Sequence, residues 1–342
     1  MRYSLVLPPN IARPEQAVPF AVLTQRTAVH RLWQGHGLML DSHHLMTWLA
    51  GLGIRVPSGF GVSLMPLRSP YQAAMEARSV ALSTGRSVVA CFGPGGPAGQ
   101  RSFQGRRYAS QLGACREYVQ IVRRLLAGGE TRVSGAEFAT SARLVDLPAP
   151  PVSVGLGVLR ERMALLAGEV ADAAVTWLGS ASYLDGTLLP ALRKGAESRV
   201  QEGADADAGA DPSARPRPPK VTAYVPVALS GPDRTAAELA HAGCGAHLRA
   251  PHYRDALRRS GIALEGDDSP DDAKKLVDGG VFLYGTVEEI HARLDEYRAI
   301  GVDEVVLHTT GVALNKGLRA AVRDLERILE AVPGHPEECS DD

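Results

Sequence analysis

The feature that most constrains this chain is a repeated alternation: a short β-rich run, a loop holding Gly or Pro, then a longer helical stretch. Eight runs can be marked: Tyr3 to Leu7, Arg31 to Gln34, Phe60 to Met65, Ser87 to Phe92, Pro151 to Val154, Ala173 to Trp177, Lys220 to Leu229 and Glu304 to His308. Helical spacing predicts helices over Glu15 to His30, Tyr71 to Thr84, Tyr108 to Leu126, Arg160 to Val170, Val287 to Ile300 and Lys316 to Val332. Strands separated by helices run parallel, with right-handed crossovers. The run SVVACF at Ser87–Phe92 is almost continuously apolar, as a strand covered on its outer face requires. Eight such strands favour a closed (β/α)8 TIM barrel with insertions between the late strands; counting alone leaves an open doubly wound sheet as the alternative.

A barrel of ordinary size accounts for all 342 residues, with residues 1–335 as one domain and 336–342 as a disordered tail. The 45% hydrophobic content is enough for a sizeable core. A net charge of -1 leaves no field of one sign to gather nucleic acid or an anionic membrane. Cys91, Cys115, Cys244 and Cys339 lie far apart without a CxxC pair, which points to free thiols. The apolar run at Met1–Pro9 is too short for a secretory signal and no segment is as long as a membrane span, so the expected location is cytoplasmic. Two stretches break the alternation. Residues 201–219, poor in apolar side chains, read as a flexible loop. Residues 240–280 read either as a lid over the C-terminal mouth or as plain helical packing.

Five segments in order resemble the bacterial luciferase-like superfamily, which includes FMN monooxygenases and reductases that use the deazaflavin F420. They are Gly61–Pro70 with the helix through Ala77 into Gly85-Arg86, Ser87–Gly95, Tyr118–Glu137, Ala167–Asp172, and Tyr284–Glu289 continuing to Tyr297–Val306. The fourth departs from the family pattern, with Ala173 in place of the usual glycine.

The resemblance implies a cofactor phosphate near Gly155, Leu156, Gly157 and Val158, read as a turn before a helix whose backbone N–H groups and dipole favour an anion. An ordinary βα turn is the plainer alternative. Arg160 and Arg162 could add charge there, and Trp177 would complete the pocket or belong to its wall. The resemblance also places a non-proline cis peptide, with a bulge against the cofactor ring, at Ser63-Leu64, and makes Gly93 and Gly95 a cofactor-side wall. His36 and His43 are the acid–base candidates, in the loop where the family commonly carries such a histidine, although Gly35-His36 stands where an Asp-His pair is usual. Arg68 either faces the ligand or pairs with a carboxylate. No metal spacing is present among the loop histidines.

These features together imply an F420-dependent reductase that passes hydride to an activated C=C or C=N bond. The expected substrate is a small molecule or modified peptide of a specialised pathway, and the family resemblance implies a homodimer. The alternatives are an FMN-dependent monooxygenase and a barrel that binds a partner without catalysis.

Overall fold

The computed structural model describes residues 1–35, 39–203, 217–266 and 269–331. Its strands pair in parallel until they return to the start. Strand β1 (Arg2–Val6) pairs with β2 (Leu32–Gln34), and β2 with β3 (Ser58–Leu64). The series continues through β4 (Val88–Gly93), β5 (Val152–Val158) and β6 (Ala173–Trp177). Strand β6 joins β7 (Lys220–Leu229), β7 joins β8 (Glu304–His308), and β8 pairs with β1. The eight expected strands therefore close into a (β/α)8 barrel, and the open sheet is excluded.

Alternating residues of each strand fill the barrel. Val6, Trp33, Cys91, Ala173, Val175, Tyr224 and Val306 form the inner cluster, separate from the larger core between strands and helices. Trp33 lies across the axis, edge-on to Tyr224 with ring centroids 5.7 Å apart. Gly59 makes room for it, since a Cβ there would strike the indole. Below, the indole N–H donates to Glu304 Oε1 at 2.5 Å, and Arg31 Nη1 donates to the Ser58 carbonyl at 3.0 Å. Ala173 fits in the inner cluster because its register partner is Gly155, whose Cβ would come within 2.6 Å of the Ala173 carbonyl oxygen.

Local signals set the helix ends. Ser69 Oγ accepts from the Gln72 N–H at 3.2 Å and starts the helix Pro70–Thr84, which Gly85 ends in the left-handed region at φ 66°. Thr286 and Glu289 form a reciprocal capping box at the start of Val287–Ala299. Gly168, in the fourth family-like segment, lets Glu161–Val170 cross the helix Leu189–Gly203 closely; a Cβ would lie 2.8 Å from Gly195 Cα.

Some expectations need correction. The first helix covers only Val18–Arg26, because Thr27 is already extended. The third strand starts earlier, at Ser58. An antiparallel hairpin, Thr131–Ser134 with Ala139–Ala142, was not foreseen. Nor was the strand Leu283–Gly285, which adds to the end of β7. Between β7 and the strand Leu283–Gly285 the described residues hold three helices, Ala236–Leu248, Pro251–Arg259 and Pro270–Asp278. Most of the predicted 201–219 loop and the predicted 336–342 tail lie outside the described residues, as does Cys339. Cys91, Cys115 and Cys244 are buried free thiols. No helix among the described residues is long and apolar enough to cross a membrane.

Candidate active site

In a barrel of this kind the C-terminal strand ends and the loops after them build the site. The floor of this mouth is set by the β3 backbone. The Gly61–Val62 peptide is cis, and the β3–β4 register shifts between Gly61 and Ser63. The irregularity expected at Ser63-Leu64 therefore lies two residues earlier. Its outcome is that half-exposed Val62 turns into the mouth, while Ser63 is buried and Leu64 packs towards Gly95. A Cβ on Gly93 would come 2.9 Å from one Val62 methyl, and a Cβ on Gly157 would come 2.8 Å from the other. Strands β4 and β5 thus project no side chain over Val62, and the floor is flat and apolar.

Gly155, Leu156, Gly157 and Val158 also need correction. They lie inside β5, paired with β4 on one side and β6 on the other, and do not form a turn. The glycines are there because the interior is crowded: Gly155 faces Cys91 and the Ala173 carbonyl, and Gly157 faces Val62. The turn to the next helix is Leu159-Arg160, and Arg160 Nη1 donates to Asp255 Oδ2 at 3.0 Å. Gly93 ends β4, and the Pro94–Gly96 loop beyond it is clamped by buried Gln100. Its amide donates to the carbonyls of Pro94 and Gly95, each at 3.0 Å.

Asp41, after β2, and Arg68 and Glu76, after β3, are joined by ion pairs, while the buried His43 Nδ1 beside them has no hydrogen-bond partner. Asp41 caps the helix Ser42–Gly51, accepting from the His43 and His44 N–H groups at 2.9 and 3.1 Å. The buried Arg68 guanidinium bonds both Asp41 and Glu76. His43 stacks on Phe60, centroids 4.1 Å apart, with Nδ1 3.6 Å from Asp41 and 3.7 Å from Glu76. His43, the helix cap and Arg68 hold the Asp41 carboxyl below the usual carboxylate range, against the opposing effect of burial. Phe60 belongs to the outer core, so His43 sits between barrel and helix, not over the floor. Arg68 is paired, as one of its two expected alternatives required. His36 lies outside the described residues.

The opposite side, from β6 to β8, has another character. Trp177 ends β6, where the sequence placed it, and Leu178 after it takes φ 56°, rare for an L-residue, turning the chain sharply at the rim. The Trp177 ring lies 4.6 Å from His308, at the end of β8, and 5.3 Å from His247, on the helix Ala236–Leu248. His247, in the 240–280 stretch, therefore packs against the end of β6. Trp177 Nε1, Tyr224 Oη, His247 Nδ1, His308 Nδ1 and Thr309 Oγ1 are all buried without a hydrogen-bond partner. Burial, reinforced by His247, pushes the His308 pKa down to about 3; burial, reinforced by His252, pushes that of His247 down to about 4. Both imidazoles are neutral near pH 7. Burial also raises the Tyr224 phenol well above its usual value.

The sequence reading missed Val62, Tyr224, His247, His308 and Thr309. His308 carried a usable signal, as a polar residue closing a barrel strand. Two surface clefts of about 820 and 580 Å³ flank the N-terminal strand ends, away from the mouth. Arg123 there pairs with Asp172, and Arg199 donates to the Gly168, Glu169 and Ala171 carbonyls.

The sequence profile of the luciferase-like monooxygenase family matches residues 1–304. The chain belongs to this family. An F420-dependent glucose-6-phosphate dehydrogenase of Nakamurella multipartita is 37% identical over 84 residues, covering 24% of this chain and 25% of that relative. The match thus spans about a quarter of the curated relative's length. The coenzyme F420-dependent tetrahydromethanopterin reductase of Methanopyrus kandleri superposes with a TM-score of 0.73 at 16% identity, over 97% of this chain and 99% of the other. An F420-dependent secondary alcohol dehydrogenase, solved with an F420–acetone adduct, gives 0.71 at 16% identity, over 96% and 98%. At that identity the superpositions establish the shared fold of this luciferase-like chain.

Proposed function

We propose that the chain is an F420-dependent oxidoreductase that reduces an activated C=C or C=N bond. The observation that carries this reading is the floor: Val62 lies over Gly93 and Gly157, where any Cβ would collide with it. The residues present fit a planar tricyclic ring, since the floor is apolar and free of projecting side chains while the Trp177 N–H beside it lacks an acceptor. Val62 would support one ring face, with Leu64, Gly93, Gly95 and Gly157 around it, and the Leu159-Arg160 turn would approach the phosphate end. A bound reduced deazaflavin supplies the hydride from C5 to one atom of the double bond, and a proton completes the other. His36 is the assigned source of that proton. His43, stacked on Phe60 in the core outside the barrel, is left out of this role in the reading.

The choice of F420 draws on the Nakamurella multipartita relative and the two superposed enzymes. The family description as monooxygenase supports FMN as the second reading. The substrate, as a small molecule or modified peptide of specialised metabolism, and the homodimer belong to this proposal. Fluorescence titration of the purified protein with F420 and FMN tests it, followed by anaerobic turnover of reduced F420 with conjugated enones and imines. Binding of F420 with oxidation of its reduced form only when the acceptor is present is expected. Binding of FMN alone, with oxygen consumption, overturns it; affinity for neither cofactor leaves the non-catalytic barrel.

A further inference from the structure

We propose that the β6–β8 side of the mouth is the substrate subsite, and that it takes an uncharged planar group carrying a carbonyl or amide, held by His308 and Thr309 against the Trp177 indole. This deepens the oxidoreductase reading and rests on it for the word substrate; the binding chemistry stands on the residues alone.

The first argument is the density of unmet hydrogen bonds. Buried polar groups in folded proteins are nearly always paired, so a cluster of unpaired ones marks a place where a ligand or water completes them. Here five unpaired atoms belong to the end of β6, the middle of the neighbouring β7, the end of β8 with Thr309 just after it, and the helix Ala236–Leu248. His308 Nε2 is paired with Thr310 Oγ1 at 3.3 Å. Thr309 is fully buried and Tyr224 nearly so. The rings meet edge to face or tilted: Trp177 with His308 and His247, and His247 with Tyr253 at 4.9 Å. The cluster is therefore a connected wall.

The second argument is charge. Trp177, Tyr224, Thr309 and the two buried imidazoles carry no charge at neutral pH. The cations on the same strand ends are committed elsewhere. Arg160 is tied to Asp255, and Arg234 to Asp324 and the Leu229 carbonyl. A carboxylate or phosphate entering this wall would lose its hydration and gain no cation in return. A neutral carbonyl or amide loses little and gains donors from Trp177, Thr309 or His308. The indole face adds stacking for a planar group.

The third argument is position. The wall stands beside the glycine floor, so a group held there lies next to a ring resting on Val62.

The test is a ligand-observed NMR titration with benzamide and benzoate, run with and without saturating oxidised F420, on wild type, H308A, H308N and H308K. Expected are at least about tenfold tighter binding of benzamide than of benzoate, weaker benzamide binding in H308A, partial retention in H308N, and loss or reversal of the preference in H308K. Equal or tighter binding of benzoate by wild type overturns the proposal. So does binding of neither compound, or a preference unmoved in all three variants. F420 titration of the same samples separates the two readings. Amide preference without F420 affinity sinks the oxidoreductase and keeps the subsite; F420 affinity without amide preference does the reverse.

Discussion

After β2 and β3, the Arg68 guanidinium joins Asp41 and Glu76, and Asp41 caps a helix, whereas from β6 to β8 an indole N–H, a phenol, a hydroxyl and the Nδ1 atoms of two neutral imidazoles lack hydrogen-bond partners. Both sets lie at one end of one barrel, the first partly exposed and the second buried. The first spends its hydrogen bonds within the protein and so contributes to holding loops and helices in place. The second leaves five polar atoms without a partner on neighbouring elements at the mouth, although His308 Nε2 is paired with Thr310. Single unpaired atoms occur elsewhere, as at Ser4, Gln34 and His43, so it is their clustering at the mouth that points to a ligand.

The sharpest way to break this contrast is to remove the cation on the structural side. Arg68→Ala leaves Asp41 and Glu76, 28% and 22% exposed, without their shared cation, and should lower unfolding free energy by about 1.5–3 kcal/mol, read as a reduced urea midpoint. A change under about 1 kcal/mol would mean that the pair is hydrated like a surface bridge. Next is the floor. Gly157→Ala puts a methyl 2.8 Å from a Val62 methyl, and should cost about 1–3 kcal/mol of overpacking and weaken F420 binding in a fluorescence titration. Cofactor affinity unchanged by this substitution would take the floor out of the proposed site.

A smaller effect is expected at Gln100, whose amide clamps the Pro94 and Gly95 carbonyls. Gln100→Ala should cost about 1–2 kcal/mol and raise hydrogen exchange in residues 94–96. The smallest effect is in pH dependence. His308 and His247 have folded pKa values depressed to about 3 and about 4 from 6.5, so between those limits the unfolded chain binds protons that the folded chain does not. Their stabilisation is present above pH 6.5 and is lost as pH falls towards the folded values. A His247→Asn, His308→Asn double variant should therefore lose less Tm than wild type between pH 7 and pH 4. An identical loss would show both rings to be already hydrated.

The barrel was legible because parallel strands buried on both faces leave near-continuous apolar runs such as Val88–Phe92, and because Gly85 and the Thr286–Glu289 box mark helix ends locally. The Thr131–Ser134 hairpin was not legible: half its side chains face solvent, and the run lacks a strong apolar period. In the site, Trp177 could be placed from its strand. Gly155 and Gly157 were misread because a glycine that makes room for Cys91 or Val62 looks, in sequence, like one that makes a turn. The shift from Ser63-Leu64 to Gly61-Val62 has the same origin, since β3 holds Gly59 and Gly61 for the sake of Trp33 and Tyr224. His247 needed the helix Ala236–Leu248 to be docked before its meeting with Trp177 could be known.

The contact between Trp33 and Glu304, with Arg31 beside them, stoppers the barrel from below. Among the described residues this leaves the C-terminal mouth as the way in. On the proposed reading, a ring on Val62 and a group against Trp177 and His308 would share that mouth, and an ordered binding with the ring first would show as substrate inhibition in steady-state kinetics.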